Sequence, residues 1–395
     1  MHSWEQRKLG DNIVEYTEKT TENNQYPVLT SSRKGIFFQT DYYDGNQIAS
    51  ADNTGYNIVP YGYFTYRHMS DDEIFHFNIN DIAENGIVST LYPVFTTDEN
   101  LDSRYLQYQL NYGREFARYA ILQKQGGSRT YMYLNKLRNL YLTVPTAIEE
   151  QKKISEYFTN LDHLITLHQR KYDETKTLKK YMLQKMFPQN GEKVPEIRFD
   201  GFTEDWEQRK LGEVCEIKDS ARIPNSEWSE SGIPYIRASD VTNENTDGVL
   251  FISQERYEFY KNRTGAPTKN DVLFNGGGEI GKSLLITDEK PIYVQGGAVL
   301  YARTSKSREL VGQYLKTYFE TTNAKSYIDA ASAGGTMRHF TLKPSQKMRI
   351  LMPSVEEQEK IGGYFVNLDR LITLHQRKCN ELKEIKKYML QNMFV

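Results

Sequence analysis

The stretch "NLDHLITLHQRK" (residues 160–171) recurs almost unchanged as "NLDRLITLHQRK" (residues 367–378). Each copy lies in a longer shared block, because residues 149–187 and 356–394 align without a gap and are identical at 28 of 39 positions. In both blocks apolar residues recur at alternating spacings of four and three, the period of a coiled-coil seam. The candidate helix-pairing residues are Ile154, Phe158, Leu161 and Ile165 in the first block and Ile361, Phe365, Leu368 and Ile372 in the second.

The two blocks predict long helices, each about 58 Å long at 1.5 Å per residue. Their near-identity favours a pseudo-symmetric pair in which the helices pack on each other, most simply antiparallel. The alternative is that each helix packs on the variable segment of its own half. His168 and His375 lie at equivalent places on the seam. We interpret them as seam residues, because the positions four residues later, where a metal site would need further ligands, hold Tyr172 and Cys379.

A second repeat divides the rest of the chain. The heptapeptide "WEQRKLG" occurs at Trp4–Gly10 and at Trp206–Gly212, and the segments between the repeated blocks differ almost everywhere. These variable segments contain short strand-like runs separated by Gly, Asn and Asp, with some helix. The prediction is an α+β fold with an internal pseudo-two-fold repeat. Its parts are a variable domain at 1–148, a helix at 149–187, a linker at 188–205, a second variable domain at 206–352 and a second helix at 353–395.

The composition excludes several classes of protein. The chain has 395 residues, a net charge of −2 and two cysteines that belong to no paired motif. The two cysteines indicate neither a disulfide framework nor a zinc site. The sequence shows no signal peptide and no apolar run of membrane-spanning length, so we expect a cytoplasmic protein without a membrane partner.

Positive charge is concentrated late in each variable domain. Residues 1–102 carry 6 Lys/Arg and 16 Asp/Glu, whereas residues 103–138 carry 7 and 1, and residues 303–349 carry 9 and 3. Each basic stretch contains a Gly-Gly loop, "GGSRTYMYL" (126–134) or "GGTMRHFTL" (334–342). A charge run often marks only a solvated surface, but its recurrence in two dissimilar domains favours an anionic partner. Glycines allow close approach to a phosphate or groove, and arginine is suited to base recognition.

One motif points elsewhere. "GGGEIGKS" (276–283) matches the phosphate-binding pattern G-x-x-x-x-G-K-[ST] letter for letter. A true phosphate loop joins a strand to a helix. Here the following run "SLLITDEKPIYV" (283–294) has the character of a strand, so we predict a hairpin connection and no nucleotide binding. Neither a methyltransferase motif nor a glycine-rich cofactor loop opening a helix is present, and the sequence indicates a binding protein.

The chain resembles the DNA specificity subunits of type I restriction–modification systems. The resemblance is carried by "RFDGFTEDWEQRKLG" (198–212), "EEQKKISEYFTNLDHLITLHQRK" (149–171) and its partner at 356–378, and "DVLFNGGGEIGK" (271–282). It covers essentially the whole chain, including the order of the blocks. One departure is that the lead-in "RFDGFTEDW" (198–206) has no counterpart before Trp4.

The resemblance implies two target recognition domains that each recognise half of a split double-stranded DNA sequence. The helices would set the spacer between the halves and dock two modification methyltransferase subunits, which restriction/translocase subunits join. It implies no cofactor in this chain, with S-adenosylmethionine, ATP and Mg on the partner subunits. The candidate DNA-binding residues are Ser31, Ser32, Arg33, Lys34, Arg67, Gly127, Ser128, Arg129, Thr130, Arg237, Gly277, Gly335, Thr336 and Arg338.

Two other functions remain open at this level. The acidic residues 1–102 favour a coiled-coil scaffold whose variable domains bind proteins. An enzyme using the 276–283 loop would have to bind ATP. Sequence-selective binding to duplex DNA distinguishes the specificity subunit from both.

Overall fold

The computed structural model describes residues 3–46, 48–124, 128–189, 191–332 and 338–394. The chain forms two compact units, the first made of residues 1–169 and 377–395 and the second of residues 170–376. Two long helices, Ile148–Lys185 and Val355–Met393, each contribute one segment to each unit. The two predicted long helices are therefore confirmed, whereas the boundaries of the predicted domains stay a prediction.

The first unit is built on a four-stranded antiparallel sheet, with short two-stranded ribbons around it. The sheet has the order Ile13–Glu15, Val94–Thr97, Phe64–Tyr66, Phe77–Ile79. The ribbons pair Trp4–Lys8 with Tyr141–Pro145, Leu29–Ser32 with Gly35–Phe38, Asn57–Pro60 with Asn85–Val88, and Met69–Ser70 with Thr130–Tyr131. The shorter helices are Gln39–Tyr42, Ser103–Tyr112, Arg114–Leu122 and Leu134–Leu137, with a 3-10 turn at Leu9–Asp11.

The second unit has two four-stranded sheets. One has the order Ile217–Lys218, Val299–Ala302, Val272–Asn275, Ser283–Leu285, and the other Trp228–Ser229, Phe251–Ile252, Ile233–Ile236, Tyr293–Val294. A ribbon pairs Glu207–Lys210 with Arg349–Met352. The shorter helices are Leu211–Val214, Ala238–Thr242, Gln254–Thr264, Gly312–Phe319, Thr322–Ala331 and Leu342–Lys347, with 3-10 turns at Asn225–Glu227 and Thr304–Lys306.

The repeated heptapeptide closes each variable domain in the same way. Its strand pairs antiparallel with the strand that leads into a long helix, Trp4 facing Pro145 in the first unit and Glu207 facing Met352 in the second. Trp206 is almost fully buried, and the Trp4 indole donates to Glu150 at 3.2 Å. The heptapeptide thus connects the start of each variable domain to the start of the long helix that follows it. This shared contact explains why these residues recur while the domains diverge.

A buried glutamine at the start of each long helix makes the same three hydrogen bonds in both units. Gln151 accepts from the Asp102 amide at 2.9 Å and donates to two carbonyls, one of them that of Pro145 at 2.9 Å. Gln358 accepts from the Val311 amide at 2.9 Å and donates to the carbonyls of Glu309 and Pro353. These bonds fix the long helix to the loop that precedes the shorter helices of its unit.

The long-helix segments pack antiparallel within each unit. In the first unit Phe158 lies 5.8 Å from Phe394 between ring centroids, and Lys386 Nζ lies 2.5 Å from Asp162 Oδ1. The partner number falls as the first number rises, which is an antiparallel register. The second unit repeats both contacts at positions 207 residues away, between Phe365 and Phe187 at 6.0 Å and between Asp369 and Lys179 at 2.6 Å.

Both interpretations of the seam hold in part. The predicted helix-pairing residues are buried except Ile165 and Ile372, which are half-buried. Phe158 also packs on its variable domain, since its ring lies 5.2 Å from that of Tyr108. In the second unit Ile361, Phe365 and Leu368 belong to the same buried cluster as Tyr314, whose ring lies 5.7 Å from that of Phe187. One apolar stripe therefore serves two contacts, because it is wider than a helix pair alone can cover.

The chain forms two consecutive helices late in each variable domain. They are Ser103–Tyr112 with Arg114–Leu122 and Gly312–Phe319 with Thr322–Ala331. At Gly113 a side chain would come 2.4 Å from the Gln109 carbonyl oxygen, so the chain bends where only glycine fits. Among the described residues, no helix combines the length and apolar character that crossing a membrane requires.

Candidate nucleic-acid interface

Five of the predicted DNA-binding residues lie together on the first unit. The hairpin Leu29–Ser32/Gly35–Phe38 carries the turn residues Arg33 and Lys34 at its tip. A groove of about 670 Å³ runs beside it, and we call this the first groove. Its walls include the five predicted residues Ser31, Ser32, Arg33, Lys34 and Arg67, together with Tyr42, Tyr43, His68, His76, Leu91 and Tyr92.

The serines of this set support the groove, while the cations face solvent. Ser31 is buried, and its hydroxyl donates to the Thr65 carbonyl at 3.0 Å and accepts from the Asn78 amide. The Ser32 hydroxyl donates to the Gly35 carbonyl at 3.1 Å and shapes the turn. Arg33, Lys34 and Arg67 are exposed. The charge available to an anionic ligand is therefore that of the three cations.

A second groove adjoins the first and shares His68 and Leu91 with it. It measures about 720 Å³ and includes Tyr133 and Arg138 in its walls. The His68 ring stacks on Tyr133 at 5.2 Å, and Tyr131 stacks on Tyr133 at 5.9 Å with an angle of 11° between the rings. Both tyrosines are partly exposed, at 37% and 48%. Sequence reasoning missed this stack, although tyrosines two positions apart directly after the Gly-Gly loop are a usable signal.

Three exposed cations of the first unit are paired with three consecutive carboxylates. Arg33 is paired with Asp72, Lys124 with Glu73, and the Nε of Arg129 lies 2.8 Å from Asp71 Oδ1. Hydrogen bonds from Arg33, and then from Ser70, keep the pKa of the Asp72 carboxyl far below its ordinary value. The predicted basic face is thus balanced locally by an acidic turn that sequence reasoning did not connect to it.

The Gly-Gly loop of the first unit is described in part. Ser128 and Arg129 are exposed, whereas Thr130 is buried in the strand that pairs with Met69–Ser70. Thr130 therefore supports the loop and does not face a ligand. The predicted residues Gly127, Gly335 and Thr336 lie outside the described residues.

In the second unit the structure brings the remaining predicted residues together. The Phe340 amide donates to the Gly276 carbonyl at 2.8 Å. The loop at residues 276–283 therefore lies against the end of the second Gly-Gly loop. A side chain at Gly277 would lie 3.4 Å from the His339 ring. The neighbouring Gly278 lies near Ala238, directly after Arg237. Three predicted residues, Arg237, Gly277 and Arg338, therefore belong to adjoining loops.

The loop that matches a phosphate-binding motif is a hairpin, as predicted. Strand Val272–Asn275 pairs antiparallel with Ser283–Leu285, with Phe274 opposite Ser283. The loop borders a hollow of about 480 Å³ whose walls include the acidic side chains Glu244, Glu279, Glu320 and Asp329. Its walls also carry Lys179, Lys282 and Lys325. The loop leads into the strand Ser283–Leu285 and not into the N-terminus of a helix, which a phosphate-binding loop requires. Within the described ranges, no group of three or more His, Cys, Asp or Glu side chains could hold a metal ion.

Comparisons with known proteins agree with this architecture. The family model described as type I restriction modification DNA specificity domain matches residues 1–177 and 203–384. The chain is 22% identical over 322 residues to the type I restriction enzyme MjaVIII specificity subunit of Methanocaldococcus jannaschii, covering 78% of this chain and 73% of that one. It is 26% identical over 166 residues to a putative specificity subunit of Haemophilus influenzae, S.HindORF215P, covering 42% and 40% of the two chains.

A solved structure has the same fold. The crystal structure of the S subunit of a type I restriction–modification system from M. genitalium matches 100% of this chain and 96% of its own, with a TM-score of 0.59 and 13% identity.

Proposed function

The chain belongs to the type I restriction–modification DNA specificity family, and we propose that each of its variable domains recognises one half of a split duplex DNA sequence. As a specificity subunit it supplies target choice. The observation that carries the proposal is a repetition. Two domains with dissimilar sequences each place an exposed arginine, Arg129 or Arg338, within the Gly-Gly loop of a basic stretch.

The described residues divide into contacts and supports. In the first domain Arg33, Lys34, Arg67, Ser128 and Arg129 face the DNA, and the buried Ser31 and Thr130 hold them in place with Ser32. In the second domain Arg237, Gly277 and Arg338 form the corresponding surface. Lysine and arginine bind phosphates without regard to sequence, whereas arginine at a base edge gives specificity. Gly127, Gly335 and Thr336 remain candidates.

The long helices dock two modification subunits. Each helix carries exposed apolar side chains at repeat-related positions: Leu164 and Leu371, Leu178 and Ile385, Tyr181 and Tyr388. Because the register is antiparallel, Leu164 lies level with Ile385 in the first unit, and Leu371 lies level with Leu178 in the second. Two equivalent apolar patches suit two copies of one partner.

Methyl transfer and DNA cleavage are reactions of the partner subunits. The modification subunits supply S-adenosylmethionine, and the restriction/translocase subunits supply ATP and Mg. The long helices also set the length of the spacer between the two half-sites. We place the complex in the cytoplasm, where its DNA substrate lies.

The test is to express the chain with its modification subunits and to map methylated adenines across the genome. The expected result is one bipartite motif with a fixed spacer. Replacing residues 1–148 by the variable domain of another family member would change one half of the motif and leave the other half intact. A chain that directs no sequence-specific methylation and binds no duplex DNA would leave the protein-binding scaffold as the better explanation.

A further inference from the structure

In both units the arginine of the Gly-Gly loop is paired with an aspartate. Arg129 Nε lies 2.8 Å from Asp71 Oδ1, and Arg338 Nη2 lies 2.8 Å from Asp329 Oδ1. At least half of each of these four side chains is exposed, between 50% and 73%. We call Arg129 and Arg338 the loop arginines. The partners that the structure gives them are carboxylates, the groups that most resemble phosphate in charge and geometry.

The two pairs arise from different parts of the fold. Asp71 lies in a turn 58 residues before its arginine, whereas Asp329 lies only 9 residues before its arginine, in the helix Thr322–Ala331. The two domains, which otherwise diverge, therefore form the same arginine–aspartate pair with aspartates from different parts of the fold. Exposed ion pairs add little to stability, so their recurrence points to a role at the loop arginine itself.

In the first unit the neutralisation extends to neighbouring cations. Asp72 pairs with Arg33 and Glu73 with Lys124, so three successive carboxylates face three exposed cations of the first unit. In the turn the Ser70 hydroxyl donates to Asp72 at 2.8 Å, and Glu73 adopts a φ of 60°. A DNA phosphate that binds these cations has to displace a carboxylate that is already in place.

We propose that Asp71 and Asp329 are specificity-determining residues that hold the loop arginines back from the phosphates of non-target DNA. This inference rests on the proposed function. Binding to non-target DNA depends on contacts to phosphates. Each phosphate contact of a loop arginine competes with the aspartate that is paired with that arginine. A matching guanine edge offers an arginine two hydrogen bonds in fixed geometry. A target sequence therefore draws the arginine away from its aspartate, whereas a phosphate alone gives little net binding free energy. The ratio of target to non-target affinity rises as a result.

The experiment uses the complex of the full chain with its modification subunits and two short duplexes, one with the mapped target and one scrambled. The variant is Asp71→Asn with Asp329→Asn. The control is Asp81→Asn, whose carboxylate pairs with Arg104 at 2.6 Å and is 39% exposed. We expect the double variant to bind the scrambled duplex about 2- to 30-fold more tightly at low salt, from two exposed ion pairs. Its affinity for the target changes less, and D81N resembles the wild type.

Four results would overturn the inference. Unchanged affinity for the scrambled duplex would show that the pairs do not restrain the arginines. Equal tightening on both duplexes, or the same tightening by D81N, would reduce the effect to net charge. Failure of Asp71→Glu with Asp329→Glu to restore wild-type selectivity would show that the carboxylate charge is not the cause. The proposed function fails separately if the wild-type complex does not distinguish the two duplexes.

Discussion

Arg129 and Thr130 are neighbours in the chain, yet only the arginine is exposed. Thr130 is buried because its strand pairs with Met69–Ser70, and the strand alternation turns Arg129 and Tyr131 to the other side. In the hairpin, Ser31 is buried within the strand, whereas Arg33 is exposed in the turn that follows it. At the scale of residues, strand alternation and position in a turn therefore separate the exposed side chains of the candidate interface from the buried ones that support them.

The first prediction concerns Arg129→Ala. Loss of an arginine at a base edge removes about 1–3 kcal/mol of discrimination, so we expect methylation to become relaxed or weak at one half-site only. Mapping methylated sites made by the variant complex measures this. Arg104→Ala is a suitable comparison, because Arg104 is a similarly exposed arginine paired with Asp81. Unchanged recognition of both half-sites by the Arg129 variant would remove Arg129 from the interface.

The second prediction concerns pH and the two histidines of the first groove. Burial lowers the pKa of His68 from 6.5, and burial followed by the charge of Arg33 lowers the pKa of His76. A group with a lowered pKa in the folded state binds protons more readily when unfolded. The stability that depends on these neutral rings is therefore fully present above pH 6.5 and is lost as pH falls towards the folded pKa values.

Denaturant unfolding of the first unit at several pH values tests this. Trp4 is the tryptophan of the first unit, whereas Trp206 and Trp228 belong to the second, so a chain with Trp206→Phe and Trp228→Phe reports the first unit by fluorescence. His68→Gln with His76→Gln should flatten the decline below pH 6.5. An equal decline with and without the histidines would assign the effect to other groups.

At the scale of elements, each long helix is anchored at its start and paired along its length. The anchors are Gln151 and Gln358, whose amide groups satisfy backbone atoms of a neighbouring loop. The pairing repeats Asp–Lys and Phe–Phe contacts in both units. The identities between the repeated blocks therefore correspond to contacts that both units need, which is why the blocks stayed alike while the domains diverged.

The third prediction follows from the anchors. Gln151→Ala leaves the part-buried Asp102 amide and the buried Pro145 carbonyl without the Gln151 side chain, whereas the Asn100 carbonyl keeps its bond from Arg7. We expect a loss of about 2–4 kcal/mol in the free energy of unfolding of the first unit. Gln358→Ala should do the same to the second unit. Gln184→Ala, at an exposed position of the same helix as Gln151, should change stability by less than about 0.5 kcal/mol. Unfolding monitored by the tryptophans of each unit distinguishes the two effects. A loss no larger than that of the Gln184 variant would contradict the anchoring role.

At the scale of the whole molecule, the chain is an internal repeat of a variable domain followed by a long helix, and each long helix contributes to both units. The proposed function needs two recognition surfaces at a constant separation, because it assigns the two variable domains to the halves of a split DNA target. Helices shared between the units are a direct way to supply that constancy, since a helix has a fixed rise per residue. The proposed spacer role therefore rests on continuity of the helices through the boundary of the units.

The fourth prediction tests that role. Inserting four residues after Lys171 and four after Lys378 lengthens each helix by about 6 Å and keeps the apolar stripe nearly in phase. We expect the spacer of the methylated motif to grow by one or two base pairs, at about 3.4 Å per base pair, with both half-sites unchanged. Insertion into one helix alone shifts the antiparallel register and should destabilise the chain. An active doubly extended complex with an unchanged spacer would leave the helices as docking surfaces only.

The duplicated plan, the long helices and the hairpin at residues 271–285 follow from the sequence alone, because repetition and periodicity are local properties of the chain. The concentration of cations late in each domain is also visible there. The tertiary structure decided what the cations meet: Asp71 reaches Arg129 over 58 residues, and Ser31 turns inward to Thr65. It also decided that the helix stripe packs on both the opposite helix and the variable domain. Such contacts depend on loop conformation and on packing between distant segments, for which no spacing in the sequence is diagnostic.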